Sequence, residues 1–399
     1  MKKVVITSAV RTPIGRLGGA LCDIQPEELT RVVIEAAIKR SFLAKDQIDE
    51  VIIGQTKQTT DAPNIARVAA LMAGIPESVP AYTVHRQCSS GLQSIINAVW
   101  QIQAGYADVA VAGGVESMSL APYYLRKARF GYQSGNGELI DPNTESQPKS
   151  QPEDIYGSFN MGLTAENLAE IYHIAREEQD SFACSSQHKA AAAIDSGRFK
   201  DEIAPVLIDR KKDTFTFDTD EHPRRDTSLE KLAKLKPVFK ENGTVTAGNS
   251  SGRNDGAAAV IVMSEEKANK LGIEPMVAFV SAGIAGIDPR IMGIGPVPAT
   301  RKALERAGLT LADIGLIELN EAFAAQSLAV IKELQLDESI VNVNGGAIAL
   351  GHPLGCSGTR IVTTLLHELK KRGERYGLAT ICVAGGLGVS VIFENYRDR

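Results

Sequence analysis

The chain has 399 residues, of which 44% are hydrophobic and 23% are charged, and its formal net charge is −5. This length suits two domains or one large duplicated unit, and the small acidic excess gives no sign of nucleic acid or an acidic membrane as a partner. The five cysteines are an odd number without C-x-x-C spacing, so they indicate reduced thiols and a cytoplasmic protein. No apolar run approaches the ~20 residues that span a bilayer.

Residues 4–10, VVITSAV, predict a first strand that ends at Arg11-Thr12-Pro13. Further along, residues 39–56 align without gaps to residues 305–322, and each copy is typical of a helix end, a short connection and an apolar strand. Four aligned apolar pairs share one spacing: Leu43 and Leu309, Ile48 and Ile314, Val51 and Ile317, Ile53 and Leu319. Two more matches follow in order: Ser90-Gly91 with Ser357-Gly358, and VAVAGGVES (109–117) with TICVAGGLG (380–388).

This repeat predicts an α/β fold made of two homologous halves, each with a mixed sheet and helices. In the second copy AGGLG runs directly into the strand VSVIFEN, whereas in the first copy about 130 residues precede the matching strand AAAVIVMS. We therefore expect an N-terminal half of residues 1–120 and 245–270, an inserted loop domain of residues 121–244, and a C-terminal half of residues 271–399. Insertions at strand ends often carry ligand contacts, so the inserted domain is expected to cover the site.

Cys88 lies in a turn between the strand end VPAYTVHRQ and SSGLQSIINAVWQIQAG, which has apolar residues at helical spacing. A thiol just before a helix faces unpaired N–H groups and the positive end of the helix dipole, which stabilise a thiolate. The small neighbours Ser89, Ser90 and Gly91 leave room for a substrate. The alternative is a small core cysteine, but this context favours a nucleophile.

Two further residues share this glycine-lined setting. His352 lies in NVNGGAIALGHPLGCSG, where the following proline favours a rigid turn and the glycines allow a ligand to come close. The loop lacks both G-x-G-x-x-G and G-x-x-x-x-G-K-[ST], so a phosphate cradle is weakly indicated. Cys382 ends an apolar strand just before AGG, whereas Cys184 and Cys356 are interpreted as packing residues. Two thiols and one histidine at such junctions indicate covalent acyl chemistry.

Several further blocks stand in order along the chain: VVITSAVRTPIGRLGG (4–19), QCSSGLQS, AGGVESMS, MGLTAENLAE (161–170), TVTAGNSSGRNDGAAAVIVMS, MGIGPVPATRKAL, NEAFAAQ (320–326), NVNGGAIALGHPLG and CVAGGLG. Together they resemble the thiolase family, of the type that includes acetyl-CoA acetyltransferase and 3-ketoacyl-CoA thiolase. The resemblance covers essentially the full length. It implies duplicated thiolase-like halves with five-stranded mixed sheets, layered α-β-α-β-α.

The resemblance also implies an acyl-CoA:acetyl-CoA C-acyltransferase that interconverts acetoacetyl-CoA and acetyl-CoA by thiolysis and Claisen condensation with ping-pong kinetics. Cys88 would carry the acyl group after His352 takes its proton, and Cys382 would exchange the α-proton of the second acyl-CoA. Asn320 would orient a water beside His352 to complete one oxyanion hole. The backbone N–H groups of Cys88 and Ala384 would form the other. This chemistry implies no metal and no organic cofactor, with CoA thioesters as the substrates.

The family pattern places coenzyme A against the inserted segment, and the matching positions are Met161, Arg224, Phe239, Ala247, Ser251 and Phe323, with Met292 near the acyl group. Positive charge at Arg224 suits the phosphates of the nucleotide end, although a charge run is equally typical of a solvated face. The family further implies a homodimer or homotetramer.

Three residues depart from the usual family pattern: His85 stands for an asparagine, Ala384 for the first of three glycines, and Asn160 for a histidine. The first two bear on rate and local geometry, and the third bears on substrate choice. A degradative 3-ketoacyl-CoA thiolase of longer chain length is the near alternative, and a catalytically silent CoA-binding protein is the alternative from another class. Fatty-acid condensing enzymes share the fold but typically use two histidines where this chain has one histidine and a second cysteine.

Overall fold

The structure is a computed structural model that describes residues 2–210 and 213–396; residues 1, 211–212 and 397–399, which the three expected regions include, lie outside this description. In the described part the strands are β1 (Val4–Arg11), β2 (Gly15–Arg16), β3 (Glu50–Gly54), β4 (Ala81–Val84), β5 (Val109–Ser117), β6 (Tyr124–Leu125), β7 (Leu139–Ile140), β8 (Val206–Arg210), β9 (Asp213–Phe217), β10 (Asn254–Ser264), β11 (Val277–Gly286), β12 (Ile314–Leu319), β13 (Tyr376–Val383) and β14 (Leu387–Asn395). The α-helices are α1 (Pro26–Arg40), α2 (Ile65–Met72), α3 (Ser90–Ala104), α4 (Pro142–Glu145), α5 (Glu153–Tyr156), α6 (Met161–Ile171), α7 (Arg176–Asp195), α8 (Leu229–Ala233), α9 (Glu265–Leu271), α10 (Pro296–Ala307), α11 (Ala324–Leu334), α12 (Ala347–Leu350) and α13 (Leu354–Arg372).

The main sheet has the order β12-β13-β14-β11-β1-β10-β5-β3-β4, with β2 paired to β10. In the first half β4, β3 and β5 run parallel, whereas β10 and β1 are antiparallel to their neighbours. The second half repeats this pattern with β12, β13, β14 and β11, and the halves join where residues 5–6 pair with residues 277–278. Val341 makes a single parallel bridge to Ile317 where the first half has β4, so the expected fifth strand of the second half is only a bridge. The duplicated α/β fold is confirmed.

Helices lie on both outer faces and between the two halves. α1 and α2 cover the first half, α10 and α11 cover the second, and α3 packs with α13 in the centre. Successive side chains of β5 point to opposite faces of the sheet. Val109 and Val111 pack in the core under α1 and α2, whereas Ala110 and Ala112 pack in the central core with α3 and α13. The predicted α-β-α-β-α layering is therefore confirmed.

Glycines allow the two central helices to begin close against the sheet. A Cβ atom at Gly114 of β5 would lie 2.1 Å from the carbonyl oxygen of Gly355 in α13 and 2.9 Å from Cα of Gly91 in α3. No side chain fits at such distances in a close-packed interior. The starts of α3 and α13 are thus held together at the end of β5, and Cys88 and His352 immediately precede them.

Residues 121–244 contribute the hairpins β6–β7 and β8–β9 and the helices α4 to α8. Arg11 of β1 ties this segment to the sheet, since its buried guanidinium donates to Glu202 at 2.6 Å and to both carboxylate oxygens of Asp220 at 2.7 and 2.9 Å. α7 packs against α11 and α12 of the second half. Among the described helices, none combines the length and the apolar character needed to cross a bilayer.

Candidate active site

The two thiols and the histidine singled out in the sequence meet at the carboxyl ends of parallel strands, where ligands bind in open α/β sheets. Cys88 follows β4, Cys382 is the last residue but one of β13, and His352 follows the bridge at Val341. All three line one cavity of about 200 Å³. The fold therefore brings these distant parts of the sequence to one place.

Cys88 lies in a turn that the two following serines fix. The Ser89 hydroxyl donates to the carbonyl oxygen of Arg86 at 2.9 Å, and the Ser90 hydroxyl donates to that of Gln87 at 2.7 Å. Gln87 has a φ of +46°, a left-handed conformation that few residues with a side chain adopt. Such conformations persist only where the surroundings enforce them, and they cluster at functional sites.

The electrostatics of Cys88 differ from the expectation. Burial raises the pKa of its thiol, and the backbone N–H groups of Ala384 and Cys88 and the ammonium of Lys57 oppose this shift only in part. The expected lowering of the Cys88 pKa by the helix end is thus wrong, because desolvation disfavours the thiolate more than the local dipoles favour it. A thiol in this state needs a base that removes its proton as it attacks.

His352 lines the same cavity, and its imidazole is held in one orientation and one tautomer. Its backbone N–H donates to Oδ1 of Asn254 at 2.9 Å, and its Nδ1 lies 2.6 Å from the hydroxyl oxygen of Ser357. The Ser357 hydroxyl donates its own proton to the carbonyl oxygen of Pro353 at 2.8 Å, so it accepts from Nδ1–H and leaves Nε2 with a free lone pair. Burial, assisted by the charge of Arg360, lowers the pKa of His352 to about 3. The imidazole is therefore neutral near pH 7.

Cys382 is the second thiol of the cavity and is almost completely buried. Burial raises the pKa of this thiol, and negative charge on Cys88 raises it further. A thiolate at Cys88 thus disfavours a thiolate at Cys382.

Asn320 follows β12 and is fully buried, but it is not part of the cavity wall. Its backbone N–H donates to the carbonyl oxygen of Thr380 at 3.0 Å, which places it beside β13. Both polar atoms of its side-chain amide have no hydrogen-bond partner within the described part of the chain. A buried amide without partners is costly, so this side chain has capacity to bind a water or a ligand group.

The expected CoA contacts lie along two adjoining cavities. The catalytic cavity is lined by Met161, Phe239, Ser251, Met292 and Phe323. A neighbouring cavity of about 460 Å³ is lined by Arg224 and Ala247, and also by Phe239 and Ser251, which the two cavities share. The rings of Phe239 and Phe323 meet edge to face with centroids 6.0 Å apart. Every predicted contact residue is thus on one of two connected surfaces.

The three departures from the family pattern have structural accounts. Asn160 is the N-cap of α6, where its side-chain oxygen accepts the N–H of Leu163 at 3.0 Å. Ala384 does not have a positive φ, whereas the two glycines after it have φ of +87° and +80°. The extra methyl group therefore needs no strained backbone. His85 is exposed and outside the cavity wall.

The sequence reasoning missed Glu116, Lys57, Ser357 and Asn254. Glu116 is fully buried at the end of β5, and it accepts the N–H groups of Lys57 and Gly355 at 2.9 Å each. It therefore ties the loop after β3 to the start of α13. A carboxylate within the small and apolar run VAVAGGVES was a usable signal. No comparable signal marks Ser357 or Asn254, because their partners are set by the folded loops.

Comparisons with known proteins agree with this site. The family model for the thiolase N-terminal domain matches residues 4–266, and the model for the thiolase C-terminal domain matches residues 273–395. The acetyl-CoA acetyltransferase of Syntrophomonas wolfei is 52% identical over 397 residues, which are 98% of this chain and 99% of that protein.

Solved structures give the same result. The crystal structure of the Bacillus anthracis acetyl-CoA acetyltransferase has a TM-score of 0.96 and 51% identity, with 99% of each chain covered. The human mitochondrial 3-ketoacyl-CoA thiolase in complex with CoA has a TM-score of 0.94 and 45% identity, with 99% of this chain and 98% of that chain covered. The chain belongs to the thiolase family. It is an acyltransferase of the thiolase type.

Proposed function

We propose that this chain interconverts acetoacetyl-CoA and acetyl-CoA through an acyl group carried on Cys88. The observation that carries the proposal is the meeting of Cys88, neutral His352 and Cys382 around one cavity. In the first half-reaction Nε2 of His352 takes the thiol proton while the sulfur attacks the 3-oxo carbon. The C2–C3 bond then breaks, leaving an acetyl thioester on Cys88 and the enolate of acetyl-CoA.

Cys382 gives its proton to this enolate in thiolysis, and it removes the corresponding proton in condensation. Its raised pKa suits this role, because a thiol that stays protonated is ready to act as an acid near neutral pH. The backbone N–H groups of Cys88 and Ala384 are the proposed oxyanion hole for the acyl oxygen. Each preorganised donor of this kind is worth about 3 kcal/mol in the transition state.

A second oxyanion hole is proposed at Nε2 of His352 and a water oriented by Asn320. The Asn320 amide supports this role, since both of its polar atoms are buried without a hydrogen-bond partner in the described part of the chain. The thioester oxygen of the second acyl-CoA would be held there. Protonated Nε2 donates to that oxygen, so His352 acts first as base and then as oxyanion donor.

Coenzyme A is proposed to run from the larger cavity, where Arg224 meets the nucleotide phosphates, past Phe239 and Ser251 to Cys88. Two relatives are named acetyl-CoA acetyltransferase, and one similar structure is a complex with CoA, which supports these substrates. Thiolysis of longer 3-ketoacyl-CoA substrates remains the near alternative, because a 3-ketoacyl-CoA thiolase is 45% identical. A silent CoA-binding protein would not need a second thiol beside the first.

Other parts of the proposal concern assembly and conditions. β4 is an edge strand of the sheet, and the hairpin β6–β7 exposes Tyr124, Leu125 and Leu139, features that support a homodimer or homotetramer. We further propose a cytoplasmic enzyme that needs neither metal nor organic cofactor, since two thiols and a histidine supply the nucleophile and the bases. Sedimentation velocity measures the assembly, and activity after dialysis against EDTA tests the need for metal.

The central test is thiolysis of acetoacetyl-CoA, followed by the loss of its enolate absorbance. The wild-type protein is expected to turn over, and Cys88→Ala is expected to lose at least about 10³-fold in kcat, as removal of a covalent nucleophile does. Comparing C4 with C8–C16 3-ketoacyl-CoA substrates separates the acetoacetyl-specific enzyme from the longer-chain alternative. Full turnover by Cys88→Ala would falsify the mechanism.

A further inference from the structure

Part of the wall of the catalytic cavity is polar. Phe239 and Ser251, which the two cavities share, mark the side on which CoA is proposed to enter, and the acyl group is then enclosed by the remaining wall of the catalytic cavity. That wall includes Asn143, Ser146 and Gln147 of the inserted segment. A pocket for a plain alkyl chain would instead present carbon atoms, since an alkyl tail cannot replace the hydrogen bonds of groups it desolvates.

A buried ammonium stands directly behind this wall. Lys57, in the loop after β3, is only 7% exposed. Its Nζ donates to the hydroxyl oxygen of Ser146 at 2.6 Å and to the carbonyl oxygen of Pro142 at 3.0 Å. An ammonium has three N–H bonds, and the described residues provide acceptors for two of them.

This ammonium is not neutralised by contact with a carboxylate in the described part of the chain. Glu116 is its strongest charged neighbour, but the Glu116 carboxylate is bound to the N–H groups of Lys57 and Gly355 and forms no ion pair with Nζ. Asp141 lies 3.6 Å from the guanidinium of Arg253, which is itself part of the cavity wall. A buried charge without a contacting partner is costly. The site therefore has positive charge available for a ligand.

Ser146 and Asn143 lie between Lys57 and the cavity, and their polar groups are the ones a ligand would contact. The Ser146 oxygen accepts from Lys57, which leaves the Ser146 O–H free to donate to a ligand and polarises it. The Asn143 amide donates to the carbonyl oxygen of Met118 at 2.8 Å, while its Oδ1 is buried without a partner and requires a donor such as a water. A polar, hydrated acyl end fits these groups, and a methyl end does not.

We propose that the acyl end of this site accepts a 3-oxoacyl-CoA whose short chain ends in a carboxylate, held by the Ser146 hydroxyl with Lys57 as its counter-charge. The inference rests on the proposed thiolase function and specifies its substrate class. In thiolysis the C2–C3 bond breaks, the carboxylate-ended acyl group becomes a thioester on Cys88, and the acetyl-CoA enolate takes a proton from Cys382. The thiol of free CoA then attacks this thioester and releases a dicarboxylic acid monothioester of CoA and the Cys88 thiol.

Two substrates of equal chain length test the proposal on the wild-type protein. One is 3-oxohexanoyl-CoA, which ends in a methyl group, and the other is 3-oxoadipyl-CoA, which ends in a carboxylate. We expect kcat/KM to favour the carboxylate at least about tenfold, the effect of one charge-assisted hydrogen bond in a buried site. Equal values, or a preference for the methyl end, overturn the proposal.

Variants assign the preference to Lys57. Lys57→Met is expected to lower kcat/KM for 3-oxoadipyl-CoA more than kcat/KM for 3-oxohexanoyl-CoA, so that most of the preference is lost. Lys57→Gln and Ser146→Ala serve if the first variant does not fold. Lys149→Met, an exposed lysine of the same segment that pairs with Glu153, is the matched control and should keep the preference. A Lys57 role limited to structure predicts equal losses with both substrates and counts against the proposal.

Activity with acetoacetyl-CoA is measured in parallel. It distinguishes a failure of the proposed thiolase function from a failure of the proposed carboxylate site. Loss of all three activities in the wild-type protein means that the proposed thiolase function is wrong. Turnover of acetoacetyl-CoA and 3-oxohexanoyl-CoA without preference for the carboxylate leaves that function standing and rejects only the carboxylate site.

Discussion

The hydroxyl oxygen of Ser357 lies 2.6 Å from Nδ1 of His352 and 2.8 Å from the carbonyl oxygen of Pro353. These two hydrogen bonds set the imidazole tautomer. Because the Ser357 hydroxyl donates its proton to the Pro353 carbonyl, it can only accept from His352, and the imidazole proton is therefore on Nδ1. In Ser357→Ala, Nδ1 loses its acceptor and the basic tautomer is no longer enforced. We expect kcat for thiolysis to fall about 10- to 100-fold, a part of the ~10²–10⁴ that a positioned general base contributes. KM should change little, since Ser357 does not line the cavity.

Ser94→Ala is the control for this experiment. The Ser94 hydroxyl is equally buried in α3 and donates to the carbonyl oxygens of Gly91 and Gly113. Its loss should lower the free energy of unfolding by about 1 kcal/mol without changing the kinetics. Equal effects of both serines on kcat would mean that Ser357 acts through stability alone.

Cys382→Ala is expected to separate the two half-reactions. Acylation of Cys88 by acetyl-CoA does not need the second thiol, so the acetylated peptide should still appear in mass spectrometry. Condensation and thiolysis need a proton transfer at carbon, so steady-state turnover should fall about 10²–10⁴-fold, the range for loss of a general acid or base.

Cys356→Ala is the matched control, because Cys356 is also fully buried but is not part of the cavity wall. It should lower stability modestly and leave turnover close to the wild-type value. If Cys382→Ala retained turnover as well, the assignment of the second thiol as the acid and base would be wrong.

The sequence predicted the fold, and it indicated the side chains that meet in the catalytic cavity, for identifiable reasons. The internal repeat predicted the duplicated halves because the aligned strands have the same burial on both sides of the molecule, as at Ile53 and Leu319. The Cys88 and His352 loops were visible because close packing at helix starts demands glycine. Such constraints act between residues that are neighbours in the chain, so they are visible in the sequence itself.

Features that depend on contacts between residues far apart in the chain could not be predicted from the sequence. The pKa of Cys88 is set by burial under residues far away in sequence, so a rule about helix ends gave the wrong direction. The Ser146–Lys57 bond joins positions of two different loops. The fifth strand of the second half was expected from the repeat, but the chain there leaves the sheet after one bridge at Val341.

The raised pKa of the Cys88 thiol predicts the pH dependence of its alkylation. Only the thiolate reacts with iodoacetamide, and the pKa lies above the ordinary value of 9.0 because burial disfavours the charged form. In the free enzyme the rate at Cys88 should therefore keep rising through pH 9, about tenfold per pH unit. Quantitative mass spectrometry of the Cys88 peptide measures it, with a small-molecule thiol as reference. A plateau below pH 8 would indicate a stabilised thiolate and contradict this reading.

The buried cluster of Arg11, Asp220 and Glu202 should control how firmly the inserted segment is held. All three side chains are excluded from solvent, and Arg11 donates to both carboxylates. In Arg11→Met two buried carboxylates lose their cation, so the free energy of unfolding should fall by about 3–5 kcal/mol, as for other broken buried ion pairs. Arg31→Met removes a partly exposed guanidinium that pairs with Glu28 and Glu35 on the surface of α1 and should cost less than about 1 kcal/mol. Urea unfolding of both variants measures the difference. Similar losses would mean that water enters the Arg11 cluster and screens it, because screening is what makes an exposed pair weak.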